Sequence, residues 1–364
     1  MKNAYDVMDT TALRCAFAVG ICLLPFSAMA QTQPLLPLPS PVVSTVPANG
    51  DVNPYGVAFV PQLANTRNTL QPGDVLVSNF NNADNLQGTG TTIIRVDGKG
   101  QQSLFFQGKA GLGLTAALGV VRAGFVFVGN LPTTDGTSAT VQPGSLLVLD
   151  ANGNQVGQLA NLSLVNGPWG MAIRDNGDTA QLFLSNVLSG TVVRLDLAFS
   201  DAGVVIRNAV QLAAGFTHRT DPAALVLGPS GLFYDPRADV LYMASSADNA
   251  VYAIADAGSD DDNHATTVIF KDATHLHGPL DLVMAPNGHL IVANSDGSNA
   301  DPNQPSELVE FELDGDFVAQ FPVDKNNGGA FGLGVETIGG GTVTRVAAVD
   351  DNQNTVTIWA ISNK

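Results

Sequence analysis

Gly167-Pro168-Trp169-Gly170-Met171-Ala172-Ile173 is followed shortly by Leu182-Phe183-Leu184-Ser185-Asn186 and then by residues 191–195. Gly-Pro punctuates a turn, and each of the three short apolar runs that follow reads as a strand. The opening phrase recurs as Asn53-Pro54-Tyr55-Gly56-Val57, Gly228-Pro229-Ser230-Gly231-Leu232, Gly278-Pro279-Leu280-Asp281-Leu282 and Gly329-Ala330-Phe331-Gly332-Leu333, with Gly111-Leu112-Gly113-Leu114 as a degraded copy. Its fourth position, with Gly113 for the degraded copy, falls at 56, 113, 170, 231, 281 and 332, so the steps are 57, 57, 61, 50 and 51 residues.

Working outward, the second strand of each unit is expected at 75–78, 125–129, 182–185, 241–244, 290–293 and 345–349, and the third at 91–96, 145–149, 191–195, 250–255, 307–313 and 355–361. A Gly- or Asp-containing turn then leads to a fourth strand in the first five units. Four short strands per unit of ~50 residues, with no helical period between them, predict an all-β, six-bladed β-propeller of four-stranded blades. The sixth unit has only three strands before the sequence given ends. Residues 36–46 are rich in Leu, Val and Pro and are expected to supply the missing outer strand, closing the ring; an edge strand tolerates proline. The predicted organisation is therefore residues 1–30 as a signal peptide, 31–52 as an N-terminal segment with the closing strand, and 53–364 as the propeller.

Composition narrows the partners. The chain has 16 Lys+Arg against 33 Asp+Glu, a net charge of −17, and only 13% charged residues in 364. Too few cations are present for a phosphate-contacting surface, so no nucleic-acid partner is expected. Lys2 and Arg14 precede an apolar stretch at 15–26 and the small-residue ending Ser27-Ala28-Met29-Ala30, which predicts export with cleavage before Gln31. Cys15 and Cys22 both fall in that segment, so the mature protein is expected to lack disulfides. No stretch reaches the ~18 apolar residues of a membrane-spanning helix. The expectation is a periplasmic or secreted monomer.

The Gly-Pro-x-Gly-apolar phrases and second strands ending in Asn or Asp resemble six-bladed propellers of the NHL-repeat type. The chain is similar to gluconolactonase-like and streptogramin B lyase-like secreted propellers. The first resemblance implies a Glu metal ligand at an early inner strand, where this chain has Asn53-Pro54-Tyr55-Gly56. The second implies histidines and a Glu near a metal, with His275 and His277 in a matching unit.

The loops between second and third strands should share a face with the connections into each inner strand, around the channel mouth. Three of these loops are long, as is the connection 214–228. Long loops gathered on one face mark where function sits. Asn79, Asn130, Asn186, Asn294 and Asp350 recur at one position. They are either a ring of oxygen donors for Ca²⁺ or another divalent metal, or caps of their own turns. His218, His275 and His277 lie near the entrances to units four and five. His277 and His218 are candidate general bases, and the spacing of His275 and His277 puts both rings on one side of an extended strand. Arg219 and Asp221 either bind a charged ligand or pair with each other. Tyr55, Trp169 and Phe331 share one position of the phrase and either line a pocket or pack between blades. Two functions follow: a binding scaffold for a small ligand, glycan or protein partner, or a metal-dependent lactone hydrolase or lyase with its site at the channel mouth.

Overall fold

The computed structural model describes residues 41–362, apart from 66, 160–162, 201, 260–263, 302, 304–306 and 327. The expected signal segment, 1–30, lies outside the described residues, as do residues 36–40 of the expected closing segment. Six four-stranded antiparallel sheets follow one another along the chain. Blade one runs outward from Val52–Phe59 through Val75–Asn81 and Thr92–Val96 to Gln102–Gln107. The innermost strands of the next five blades are Leu114–Val120, Pro168–Asp175, Pro229–Asp235, Pro279–Met284 and Ala330–Ile338. Each innermost strand packs against those of the blades on either side, and the last packs against the first. The fold is the six-bladed β-propeller expected from the repeat.

The ring closes as predicted. Blade six carries Ala330–Ile338, Val343–Asp350 and Thr355–Ser362, and its outer strand is Val42–Ser44. Val43 lies opposite Val356, and the Thr45 N–H donates to the Asn354 carbonyl at 2.8 Å. One sheet thus joins the two ends of the repeat.

The second strands are largely apolar along their length because both of their faces are buried. In blade one, Val75 and Val77 pack with Ala347, Val349 and Val356 of blade six, whereas Leu76 between them packs with Leu118, Val126 and Leu147 of blade two. In blade three, Leu182 and Leu184 turn to blade two, and Phe183 turns to Leu232, Leu241 and Met243 of blade four. The core is six inter-blade layers, each built from residues of alternating parity.

The glycines of the repeated phrase set how closely the inner strands approach. A Cβ on Gly170 would lie 2.2 Å from the Ser230 carbonyl oxygen, and one on Gly332 would lie 1.7 Å from that of Tyr55. These are backbone atoms of the next blade and cannot swing aside, so the ring admits no side chain there. Asp281 is the departure from glycine. Its Oδ2 accepts the Leu333 N–H of blade six at 2.8 Å, so a side chain bridges blades five and six.

Candidate functional site

The loop face of the ring carries a cavity of about 310 Å³ at the mouth of the central channel. Its floor is the aromatic position of the repeated phrase. Tyr55, Trp169 and Phe331, from blades one, three and six, converge with Phe80. The Tyr55 ring centroid lies 4.9 Å from Phe80, 5.4 Å from Trp169 and 4.7 Å from Phe331. These residues pack together in the core and also line the cavity.

The roof comes from the long connection between blades three and four. It folds into an additional hairpin, Arg219–Asp221 paired with Leu225–Leu227. The Asp221 Oδ1 accepts the N–H groups of Ala223 and Ala224 at 2.9 and 3.0 Å, which fixes the turn. Leu225 takes φ 63°, a left-handed conformation that a leucine adopts only when its surroundings enforce it. Here Leu225, Val226 and Leu227 are all buried. That burial holds the backbone in place and sets Ala223, Ala224, Val226 and Leu227 along the cavity.

The walls are polar. Asp296 comes from the second-to-third loop of blade five, and Asp351 and Asn352 come from that of blade six. Gln87 and Asn53 come from blade one. The Asp296 Oδ2 accepts the Gly328 N–H at 3.1 Å. Burial, with the neighbouring Asp350 charge, pushes the Asp351 carboxyl up to about 7. Burial and then the Asp351 charge raise the Tyr55 hydroxyl above the ordinary tyrosine range, and both residues line the cavity. The Asn53 Oδ1 is buried without a hydrogen-bond partner.

Other predicted site residues lie elsewhere. Asn79, Asn130, Asn186 and Asn294 are buried, and none of them lines this cavity. Asn186 accepts the Asn166 N–H at 3.0 Å and donates to the Leu164 carbonyl at 2.8 Å. Asn294 likewise accepts the His277 N–H at 3.1 Å and donates to the His275 carbonyl at 2.7 Å. Asn79 donates to the Thr45 carbonyl, and Asn130 accepts the Ser145 N–H. Three of the four therefore clamp the chain entering their blade, beyond the local turn that was expected. Asp350 accepts the Gln353 N–H at 3.2 Å, and its carboxyl is pushed up to about 6, chiefly by burial with Asp324 adding.

The histidines separate. Residues 272–278 form a turn, so the strand alternation expected to align two rings does not apply. The His275 ring stacks on Phe317 at 3.9 Å and sits 2.5 Å from the Asp272 carboxylate. His277 points inward, its Nδ1 against the Asn299 carbonyl and its Nε2 3.1 Å from the Thr274 carbonyl. Glu307, which sequence reasoning did not single out, lies 3.9 Å from His277 Nε2, and Asp301 lies 3.8 Å from it. The Glu307 Oε2 is buried without a hydrogen-bond partner, and burial pushes this carboxyl up to about 7. His218 is exposed, with Nδ1 3.0 Å from the Phe216 carbonyl, and Arg219 pairs with Asp221 at 3.7 Å. Among the described residues, no three His, Cys, Asp or Glu side chains are grouped so as to hold a metal ion.

Asp296 and Asp351 were not among the expected site residues. A positional signal was available: both lie just after the Asn or Asp that ends a second strand, where the loop crosses the channel mouth.

No protein-family model matches the chain, and no curated protein matches its sequence. Solved structures do match its fold. A regucalcin from Agrobacterium tumefaciens strain C58, described as a calcium-binding protein, is 12% identical over 88% of this chain and 95% of its own, with a TM-score of 0.54. A protein of unknown function from Bacteroides thetaiotaomicron VPI-5482 is 11% identical over 88% of this chain and 72% of its own, with a TM-score of 0.52. A chain of a nidogen/laminin complex is 12% identical over 78% of this chain and 84% of its own, with a TM-score of 0.51. At these identities the likeness is one of architecture: the chain shares the six-bladed propeller with proteins that have different roles.

Proposed function

We propose that this chain is a binding propeller that holds a small organic ligand in the cavity at its channel mouth. The observation that carries this reading is the cavity itself. An aromatic floor built from the repeat meets a roof built from the additional hairpin between blades three and four, with polar side chains from three blades between them. Apolar walls with a few placed polar groups are the usual composition of a small-molecule site. A pocket this size favours a small ligand over a glycan or protein partner. In this reading residues 1–30 direct export, and the mature protein, beginning at Gln31, works as a monomer in the periplasm or outside the cell.

The test uses a chain in which Trp359 is replaced by Phe, leaving Trp169 as the only tryptophan. Screening small-molecule panels by Trp169 emission and melting temperature should yield ligands that move both. Ala224→Phe places a ring in the roof and should abolish those responses without lowering the melting temperature. Ligands that bind this variant equally well would place the site elsewhere.

The hydrolase or lyase alternative has less support. Both ring nitrogens of His277 face carbonyl oxygens of its own blade, and His218 lies on the surface. A stoichiometric divalent ion in the purified protein, lost on Asn186→Ala or His277→Ala, would restore it.

A further inference from the structure

From the cavity's chemistry we infer that its ligand is an organic cation, with an ammonium group directed at Asp351 and Asp296 and an apolar body on the aromatic floor. This assignment rests on the channel-mouth site proposed above and adds a ligand class to it.

The polar lining consists of two carboxylates, Asp296 and Asp351, three amides, Asn53, Gln87 and Asn352, and the hydroxyls of Tyr55 and Ser295. Among the described residues no Lys, Arg or His lines the cavity. Asp351 has no ion pair among the described residues, although it is partly buried and carries Asp350 beside it. A buried carboxylate without a counter-charge is costly, and a bound cation offsets that cost.

A second, independent observation points into the same space. Tyr55 is 7% exposed, and its hydroxyl makes no hydrogen bond among the described residues. Such a group is normally paired when buried, so the cavity presents an oxygen ready for a ligand N–H. The buried Asn53 Oδ1 also lacks a partner.

The floor then selects among cations. Tyr55, Trp169 and Phe331 present rings, and Leu280, Val226 and Leu227 add aliphatic surface. Aromatic faces attract ammonium groups, most strongly where water is excluded. A hydrated metal ion gains nothing from such walls, because Ca²⁺ requires ~6–8 oxygen ligands. The net charge of −17 draws cations toward the molecule.

The test titrates the Trp359→Phe chain with two cation–neutral pairs: 2-phenylethylammonium against 2-phenylethanol, and choline against 3,3-dimethylbutan-1-ol. Trp169 emission and melting temperature are the readouts. The expected result is that at least one cation binds at least tenfold more tightly than its neutral partner. Asp351→Asn should erase that preference while the neutral partner still binds. Cation affinity should also rise from pH 6 to pH 8, as Asp351 ionises between Asp350, Asp296 and the Tyr55 hydroxyl. Equal binding within both pairs would overturn the cation assignment and leave the small-ligand site standing. No response to any of the four compounds would overturn the cation assignment, and the site reading falls only if the wider panels fail as well. A response to Ca²⁺ alone, abolished by Asp351→Asn, would overturn the assignment in favour of a metal.

Discussion

Asn186 and Asn130 occupy equivalent places in neighbouring blades, yet their side chains do different things. Asn186 joins its own second strand to the chain arriving from blade two, through Asn166 and Leu164, and also bonds the Thr191 hydroxyl at 3.0 Å. Asn130 bonds only Ser145, the start of its own third strand. Truncation at 186 strands a backbone N–H and a carbonyl of the connection, whereas truncation at 130 strands one N–H. Each buried group left unpaired costs about 1–3 kcal/mol. Asn186→Ala should therefore destabilise the protein by about 2–4 kcal/mol, and Asn130→Ala by about half of that. Urea unfolding midpoints check the order. Equal losses would show that the clamp to the incoming chain adds nothing. Asn186→Asp should be nearly as damaging as Asn186→Ala, because it sets an acceptor against the Leu164 carbonyl.

At the scale of elements, the closing strand is short but occupies the seam of the ring. Val42–Ser44 pairs with residues 355–357, and Asn79 of blade one donates to the Thr45 carbonyl just beyond it at 3.1 Å. A chain that begins after residue 46 keeps every other blade intact but bares the edge at residues 355–357 and leaves the Asn79 amide without that partner. It should melt several degrees lower, given roughly 2–4 °C per kcal/mol in a protein of this size class, and it should associate through the bared edge. Light scattering and melting curves measure both effects. An unchanged melting temperature would mean that the seam is held by side-chain packing alone. This element was legible in the sequence because the repeat count left one strand missing. The inner strands were legible because a phrase such as Gly-Pro-Trp-Gly recurs with the same close-approach requirement in each blade. The roof hairpin was not, since it occurs once and its turn depends on Leu225 adopting a positive φ that burial enforces. Nor was the meeting of Tyr55 with Asp351, which are far apart in the chain and are brought together only by ring closure. The divergence of His275 and His277 was hidden for a related reason: a turn precedes the inner strand where an extended chain was expected.

For the whole molecule, the carboxyls buried inside the propeller set how stability depends on pH. Asp281 in the channel, Glu307 beside His277 and Asp351 at the mouth are each pushed up to about 7, and Asp350 to about 6, with burial the leading cause in every case. In the unfolded chain these groups titrate near the ordinary carboxyl value of ~4. The folded state therefore holds protons that the unfolded state has released. That stabilisation is complete below pH ~4 and is lost as pH rises through 6 to 7. Exposed turn carboxylates act in the opposite sense. The Gln101 and Lys99 N–H groups hold Asp97 below the usual range, and the Thr140 and Thr137 hydroxyls do the same for Asp135, so their contribution disappears in stronger acid. The two trends together place maximum stability at pH ~4, the ordinary carboxyl value, with a decline toward pH 8. Repulsion from the net charge of −17 has the same sign, so the comparison should be made at high ionic strength, where exposed charges are screened. Glu307→Gln separates the two contributions. Glutamine can still accept the Asn294 amide through one oxygen, and it removes the ionisation next to the unpartnered Oε2. The variant should unfold at a higher urea concentration than the parent at pH 8, and its pH dependence should be shallower. If parent and variant run parallel from pH 5 to pH 8, Glu307 is ionised throughout, and the decline belongs to the channel and mouth carboxyls alone.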